Sequence, residues 1–151
     1  MFDKALQFLK DHKEIALATS EGNLPKLRIF QIMKQEGHVL YFATSAKKAV
    51  WHELRQNPNV EILAYEGNIS VRCSGMVNFN VDDDVKRWIY EHNDVLSRLY
   101  TSYDQMEYFC LPIAEMAIMI CLQHHRYFSI LTSLQARLDK ASLVKDSRKN
   151  D

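Results

Sequence analysis

The sequence predicts a mainly β fold, an antiparallel β-barrel that is closed or nearly closed and has helices at its periphery. Six or seven short apolar segments have the pattern of strands, and turn sequences such as Ser20–Asn23, Gln35–Gly37 and Glu66–Asn68 separate several of them. Helical patterns occur only near the amino terminus and in two insertions between strands. A parallel, doubly wound sheet would require a helix after each strand, so the pattern favours an antiparallel barrel.

The first part of the chain combines one amphipathic helix with three strands. Phe2, Leu6 and Leu9 recur at helical spacing and predict a helix over residues 2–12. The strand segments that follow are expected at residues 15–19, 24–34 and 38–43. Because the loops between them are short, we expect these three strands to pair in sequence as an antiparallel meander.

Two helical insertions and the remaining strands complete the predicted barrel. The hydroxyl groups of Thr44 and Ser45 can cap a helix that ends near Gln56, and the acidic run Asp82–Asp84 suits the start of a second helical region. Gly75 interrupts a long strand and indicates a bulge or bend, as expected where a sheet curls. The remaining strands are expected at residues 60–65, 69–79, 114–122 and 127–131.

Length and composition are typical of one globular domain, which we place at residues 1–133. Residues 134–151 are mostly polar and charged, and we expect them to form a flexible tail. Lysine and arginine total 19, as do aspartate and glutamate, so the net charge gives no general reason to expect binding to nucleic acid or to an anionic membrane. The most apolar stretch, residues 113–122, is too short to span a bilayer.

The placement of cysteine and histidine argues against disulfides and against a metal site. The chain has three cysteines, Cys73, Cys110 and Cys121, and no two of them form a C-x-x-C pair. An odd number without such a pair predicts reduced thiols in a cytoplasmic protein. His124 and His125 are adjacent, and adjacent side chains on a strand point to opposite faces. We therefore predict a turn at these histidines and no metal ligands.

A cluster of hydroxyl and ammonium groups after the third strand has the composition of a phosphate site. Thr44, Ser45, Lys47 and Lys48 lie where that strand passes into a helix, whose first N–H groups lack acceptors within the helix. Arg28 would add a guanidinium group if its strand lies beside this exit. Adjacent lysines in the first turn of an exposed helix are also common on solvated surfaces, so their spacing by itself identifies no ligand.

Several segments, taken in order, resemble the pyridoxamine 5′-phosphate oxidase-like family of FMN-binding split β-barrels. The resemblance covers about residues 2–80 and rests on the segments Pro25–Phe30, Gly37–Ser45, Lys47–Lys48, Asn57–Val60 and Ser70–Gly75. Within this family the chain is most similar to the nitroimidazole-resistance-like branch. The resemblance implies FMN as the cofactor, with two FMN molecules bound at the subunit interface of a homodimer.

The same resemblance implies which residues bind the flavin. Arg28 would reach toward the phosphate or the ribityl chain, and Phe42 would border the ring. Ser70 stands where the oxidases have a glutamine near the flavin, and Met33 stands where they have a lysine, so contacts to the ring differ here. The complete predicted set is Arg28, Ile29, Phe30, Gln31, Phe42, Ala43, Thr44, Ser45, Lys47, Lys48 and Ser70.

The activity that this resemblance implies is that of a cytoplasmic FMN-dependent oxidoreductase acting on small aromatic or nitro compounds, with reduced nicotinamide as a candidate electron donor. The cofactor would carry the redox chemistry, and the sequence contains no side chain that must act as an acid or base. The sequence therefore leaves the catalytic residues unknown. Three alternatives stay open: a flavin-binding protein without turnover, a haem-binding protein on the same fold, and a deazaflavin in place of FMN.

Overall fold

The computed structural model describes residues 2–122 and 126–133, which form four α-helices and nine strands. The helices are α1 (Phe2–Asp11), α2 (Ala49–Gln56), α3 (Asp83–Glu91) and α4 (Asp94–Leu99). The strands are β1 (Glu14–Glu21), β2 (Leu24–Gln31), β3 (Lys34–Glu36), β4 (Val39–Thr44), β5 (Asn59–Glu66), β6 (Ile69–Met76), β7 (Glu107–Pro112), β8 (Glu115–Leu122) and β9 (Arg126–Ser133). The predicted tail at 134–151 and the turn predicted at His124 and His125 lie outside the described residues.

The strands form two antiparallel sheets that together make an open, split barrel. The larger sheet has six strands in the order β2-β1-β5-β6-β8-β9, and the smaller has three in the order β3-β4-β7. Every strand pairing is antiparallel. The predicted fold class is therefore confirmed. No helix in the described part of the chain has the length and apolar content needed to cross a membrane.

The predicted three-strand meander is only partly correct: β1 pairs with β2 and β3 with β4, but the chain changes sheets after β2. The Ile32 N–H donates to the Lys13 carbonyl at 2.8 Å, and the Met33 N–H donates to the Tyr41 carbonyl at 2.9 Å. Ile32, which is almost fully buried, thus marks the point at which the chain leaves one sheet for the other. The single strand predicted at residues 24–34 is consequently two, and β4 pairs with β3 and β7 instead of β2.

The main core contains apolar side chains from both sheets and is closed by α1 and α2. Leu17 and Ile62 come from the larger sheet, Phe42 and Phe109 from the smaller one, and Leu54 from α2. These five side chains are almost entirely inaccessible to solvent. Alternation along each strand explains this placement, since every second residue of β1, β4 and β5 is buried.

Gly75 lies at a close contact between the two sheets and not at a bulge. The pairing of β6 with β5 continues through Val60 and Gly75 without an inserted residue. A Cβ atom at Gly75 would lie 2.6 Å from the Pro112 carbonyl oxygen and 2.9 Å from Leu111 Cδ1. Only a glycine leaves room for the chain segment between β7 and β8 to pass this close.

The two sheets differ in what covers their outer faces. The smaller sheet is covered by α3 and α4, whose Ile89 and Leu96 form a second buried cluster with Tyr108 and Cys110 of β7. The larger sheet instead exposes apolar side chains on β2 and β5, among them Leu27 at 72% and Ile29 at 71%. The outer face of the larger sheet is therefore an exposed apolar surface, and β2, which contributes to it, also carries predicted site residues.

Candidate functional site

The predicted phosphate site is a turn leading from β4 into α2, formed by residues Thr44–Lys48 and called here the cationic turn. Thr44 is buried, Ser45 is half-buried, and Lys47 and Lys48 are exposed. The Lys47 N–H donates to Ser45 Oγ at 3.3 Å, and the Lys48 N–H donates to the Ser45 carbonyl at 3.0 Å. Ser45 therefore closes the turn instead of capping the helix, and α2 begins one residue after Lys48, later than predicted.

Positive charge and unpaired polar groups make the cationic turn suitable for an anion. The buried Thr44 Oγ1 has no hydrogen-bond partner in the described part of the chain. The first turn of α2 has no acidic residue, and its N-cap residue, Lys48, makes no side-chain cap. Within residues 2–120, neither Lys47 nor Lys48 belongs to an ion pair. A phosphate could therefore accept bonds from the ammonium groups and from the first N–H groups of α2.

Arg28 is held in a partly buried cluster on the inner side of the larger sheet. Its Nη2 lies 2.6 Å from Oε2 of Glu53 in α2, and its Nη1 donates to Thr19 Oγ1 of β1. Thr19 in turn donates to the same Glu53 oxygen at 2.5 Å. Burial by itself would raise the pKa of Glu53, but hydrogen bonds from Thr19 and Arg28, together with the charge of Arg28, hold that pKa below its usual value. In this structure Arg28 therefore contacts the Glu53 carboxylate, and its predicted contact to the phosphate or the ribityl chain stays a prediction.

The predicted residues of β2 and β4 divide between the core and the outer face. Phe42 is fully buried and Phe30 half-buried, with ring centroids 6.1 Å apart, so the Phe42 side chain cannot border a ligand and only its backbone is available. Ala43 is half-buried and packs against the second cluster. Ile29 and Gln31 are exposed on the outer face of the larger sheet. The alternation of side chains along a strand enforces this division.

Ser70 lines a separate cavity on the outer face of the larger sheet, which we call the outer groove. The groove has a volume of about 520 Å³ and is mostly apolar. Arg72 is its main cation, and Arg72 Nε lies 3.0 Å from Glu61 Oε1. A planar aromatic compound with one polar edge would suit such a lining. The lining residues include Ala16, Ala18, Leu27, Leu63, Ser70, Arg72 and Met119.

Sequence reasoning missed Leu63 and Met119 as lining residues of the outer groove. Both are exposed apolar residues, on β5 and β8 respectively. The available signal was alternation, because Val60, Ile62 and Ala64 are buried and their odd-numbered neighbours must therefore face outward.

The described residues contain no group of three or more histidine, cysteine, aspartate or glutamate side chains placed to hold a metal ion. Cys73 lies on β6 and is almost fully buried. Burial raises the pKa of the Cys73 thiol to about 12, so this thiol is protonated at neutral pH and does not act as a nucleophile.

These features define a split-barrel protein with a cationic turn and an open apolar groove. A model of the pyridoxamine 5′-phosphate oxidase family matches residues 1–109 of the chain. Since this match covers well over half of the sequence, the chain belongs to the pyridoxamine 5′-phosphate oxidase family. The resemblance predicted from the sequence is confirmed.

Several solved structures share this fold. A NimC/NimA family protein of Clostridium acetobutylicum is 26% identical, with a TM-score of 0.66, covering 87% of this chain and 92% of that one. A pyridoxamine 5′-phosphate oxidase-related, FMN-binding protein of Nostoc punctiforme is 14% identical, with a TM-score of 0.63, covering 87% and 94%. A haem-binding protein of Mycobacterium smegmatis is 14% identical, with a TM-score of 0.67, covering 90% and 59%. No functionally curated protein matches the sequence.

Proposed function

We propose that the protein binds FMN, with the phosphate held by the cationic turn, and acts as an FMN-dependent oxidoreductase. The observation that carries this proposal is the combination, at one strand exit, of two unpaired lysines, an unpartnered buried hydroxyl and an uncapped helix start. A phosphomonoester carries nearly two negative charges near neutral pH and needs several donors. Membership of the family and the FMN-binding neighbour from Nostoc punctiforme support flavin over other phosphate ligands.

The groups present at the turn match what a phosphate requires. Lys47 and Lys48 would supply charge, and the Ser45 hydroxyl and the first N–H groups of α2 would supply directed hydrogen bonds. The Thr44 hydroxyl, at the start of the turn, has no hydrogen-bond partner within the described residues and would be a further donor. Bound FMN would supply reversible electron and hydride transfer, which the side chains of this chain do not provide.

We propose further that a second copy of the chain covers the apolar outer face of the larger sheet, giving a homodimer. Three large apolar side chains on this face are each more than two-thirds exposed, namely Leu27, Ile29 and Tyr65. Exposure of so much apolar surface to water is unfavourable for a monomer. Three residues predicted to contact the flavin, Ile29, Gln31 and Ser70, are presented on the same face. Covering it would exclude water from the region in which a flavin ring would react.

The proposed substrates are small aromatic or nitro compounds, with NADH or NADPH as electron donor. The outer groove supports this choice because it is apolar and its volume of about 520 Å³ accommodates a small aromatic compound. The resemblance of the sequence to the nitroimidazole-resistance-like branch, and the 26% identity to a NimC/NimA family protein, point in the same direction. Arg72, which lines the groove, would meet a nitro or carboxylate group of a substrate that enters it.

Absorbance of the purified protein tests the proposal directly. FMN gives bands in the blue and near ultraviolet, whereas haem gives an intense Soret band, as the haem-binding neighbour would suggest. Anaerobic bleaching of the flavin by NADPH, followed by recovery of colour on addition of a nitroaromatic compound, would support the oxidoreductase. Flavin that no donor reduces would favour a binding protein without turnover. A protein that neither carries nor takes up FMN would refute the proposal.

A further inference from the structure

The cluster of Arg28, Glu53 and Thr19 connects three elements, one of which is α2, the helix that follows the cationic turn. Arg28 lies on β2, Thr19 on β1 and Glu53 on α2, and each side chain contacts both of the others. Glu53 is only 5% exposed and Thr19 only 4%, so the carboxylate is an unusual charge in an apolar region. A buried carboxylate is stable only when it is paired and hydrogen-bonded. The cluster therefore fixes α2 to the β1–β2 hairpin at one defined point.

The start of α2 depends on this point because the helix has little stability of its own. It contains eight residues and has no side-chain cap at its amino end. A helix this short is marginal in isolation, so tertiary contacts decide where its first turn lies. Val50 and Leu54 anchor α2 by apolar packing, which is not directional. Glu53 lies one helical turn beyond the start of α2. Its hydrogen bonds are directional, so they fix the orientation of the helix, which apolar packing does not.

We propose that Glu53 is a positioning residue for the cationic turn, and that Arg28 influences phosphate binding through Glu53 and not by contacting the phosphate. The turn joins α2 directly, so a fixed Glu53 fixes the backbone and lysines of the turn. Arg28 directs one N–H of each terminal nitrogen at Thr19 and at Glu53, and these two bonds hold its guanidinium group in the cluster. Moving Arg28 to a phosphate would leave the Glu53 carboxylate buried and unpaired. The inference rests on the proposed FMN function for its ligand, but the positioning itself is independent of FMN.

A double-mutant cycle separates the two roles of Arg28. Arg28→Met and Glu53→Met each leave one partner of the pair unmatched, whereas Arg28→Met/Glu53→Met removes both charges and keeps apolar volume. We expect each single variant to bind FMN at least about tenfold more weakly than wild type, and the double variant to recover to within about threefold. If Arg28 contacts the phosphate, the double variant will bind as weakly as Arg28→Met, and that result would overturn the proposal.

Hydrogen exchange of the apo protein tests the positioning without any flavin. We expect faster exchange at residues 45–50 in both single variants and near wild-type exchange in the double variant. Unchanged exchange at 45–50 in the single variants would overturn the proposal even if FMN affinity changed. Failure of wild type to bind FMN would refute the proposed function, while the exchange measurement would still decide the positioning role.

Two further variants control for folding and for charge. Lys86→Met breaks an exposed pair with Asp83 on α3, and neither FMN affinity nor exchange at 45–50 should change. Should Glu53→Met fail to fold, as judged by circular dichroism, Glu53→Gln replaces it because it keeps the shape and part of the hydrogen bonding. With Glu53→Gln we expect an intermediate loss of FMN affinity and intermediate exchange, and wild-type values for both would overturn the proposal.

Discussion

Phe42 and Phe109 stack across the paired strands β4 and β7 of the smaller sheet, with ring centroids 5.1 Å apart and an angle of 18° between the ring planes. They are direct partners in the β4–β7 register, and both are fully buried. Phe42 lies two residues before Thr44, where the cationic turn begins. The stacked pair thus holds the strand from which the turn leaves, and it explains why Phe42 serves the core and not a ligand.

Replacing Phe42 by alanine should destabilise the protein by about 3–5 kcal/mol, because it removes a fully buried ring and leaves a cavity beside Phe109. Urea unfolding followed by circular dichroism would measure the loss. Val95→Ala is a suitable control, since Val95 is exposed on α4 and its truncation should change stability by less than about 0.5 kcal/mol. Equal effects of the two substitutions would contradict the described core.

Replacing Lys47 and Lys48 together by alanine should weaken FMN binding. Charge-assisted contacts contribute about 1.5–3 kcal/mol each, and because both lysines are exposed we expect the lower end of this range. The dissociation constant from a flavin fluorescence titration should therefore rise by at least about tenfold. The double variant Lys10→Ala/Lys13→Ala removes the same charge, from α1 and from the second residue after its end, and should leave the affinity nearly unchanged. An unaltered affinity in the first variant would mean that the phosphate binds elsewhere.

Local patterns predicted most of the strands but not the way they assemble. β1 and β5 were predictable because apolar and small or polar residues alternate along much of their length. β7 was not, because Tyr108, Phe109, Cys110 and Leu111 are all buried, two against the core and two against the second cluster. In a strand that is covered on both faces, apolar residues follow one another without the alternation of apolar and polar residues that predicts a strand.

Partners that are distant in the sequence limited the prediction of the site. The composition of the cationic turn was visible directly, since Thr44, Lys47 and Lys48 are neighbours in the chain. The role of Arg28 was not, because its partner Glu53 lies 25 residues away and on a helix. Only tertiary packing brings the two charges together, and no local pattern encodes it.

Gly75→Ala should destabilise the fold although alanine is otherwise better tolerated than glycine in a strand. The new Cβ would lie 2.6 Å from a backbone oxygen, which cannot rotate away as a flexible side chain would. Overpacking of this kind costs about 1–3 kcal/mol, and thermal unfolding would report it as a lower midpoint. Ser74→Ala, one residue earlier on the same strand, serves as the comparison and should shift the midpoint much less.

Introducing charge on the outer face of the larger sheet should abolish the proposed homodimer. Leu27→Lys/Ile29→Lys replaces two strongly exposed apolar side chains, and a second copy could cover the new ammonium groups only by desolvating them. Light scattering coupled to gel filtration should give a dimer mass for wild type and a monomer mass for this variant. Val95→Lys/Leu99→Lys alters two exposed apolar residues on α4 and should remain dimeric. A monomeric wild type would contradict the proposed assembly.

The buried thiols should resist modification until the protein unfolds. Burial raises the pKa of Cys73 to about 12 and also raises that of Cys110, so both remain protonated, and thus poor nucleophiles, at pH 8. In a Cys121→Ser background, a disulfide reagent should therefore detect no thiol in the native protein and two in guanidinium chloride. The unfolded thiols ionise near their ordinary pKa of about 8.5, whereas the buried thiols stay protonated. The contribution of these thiols to the free energy of unfolding is therefore fully present below that pH and decreases as the pH rises above it. Rapid reaction of a native thiol at pH 8 would show that β6 or β7 opens readily, contrary to the tight packing of Cys73 on β6 and Cys110 on β7.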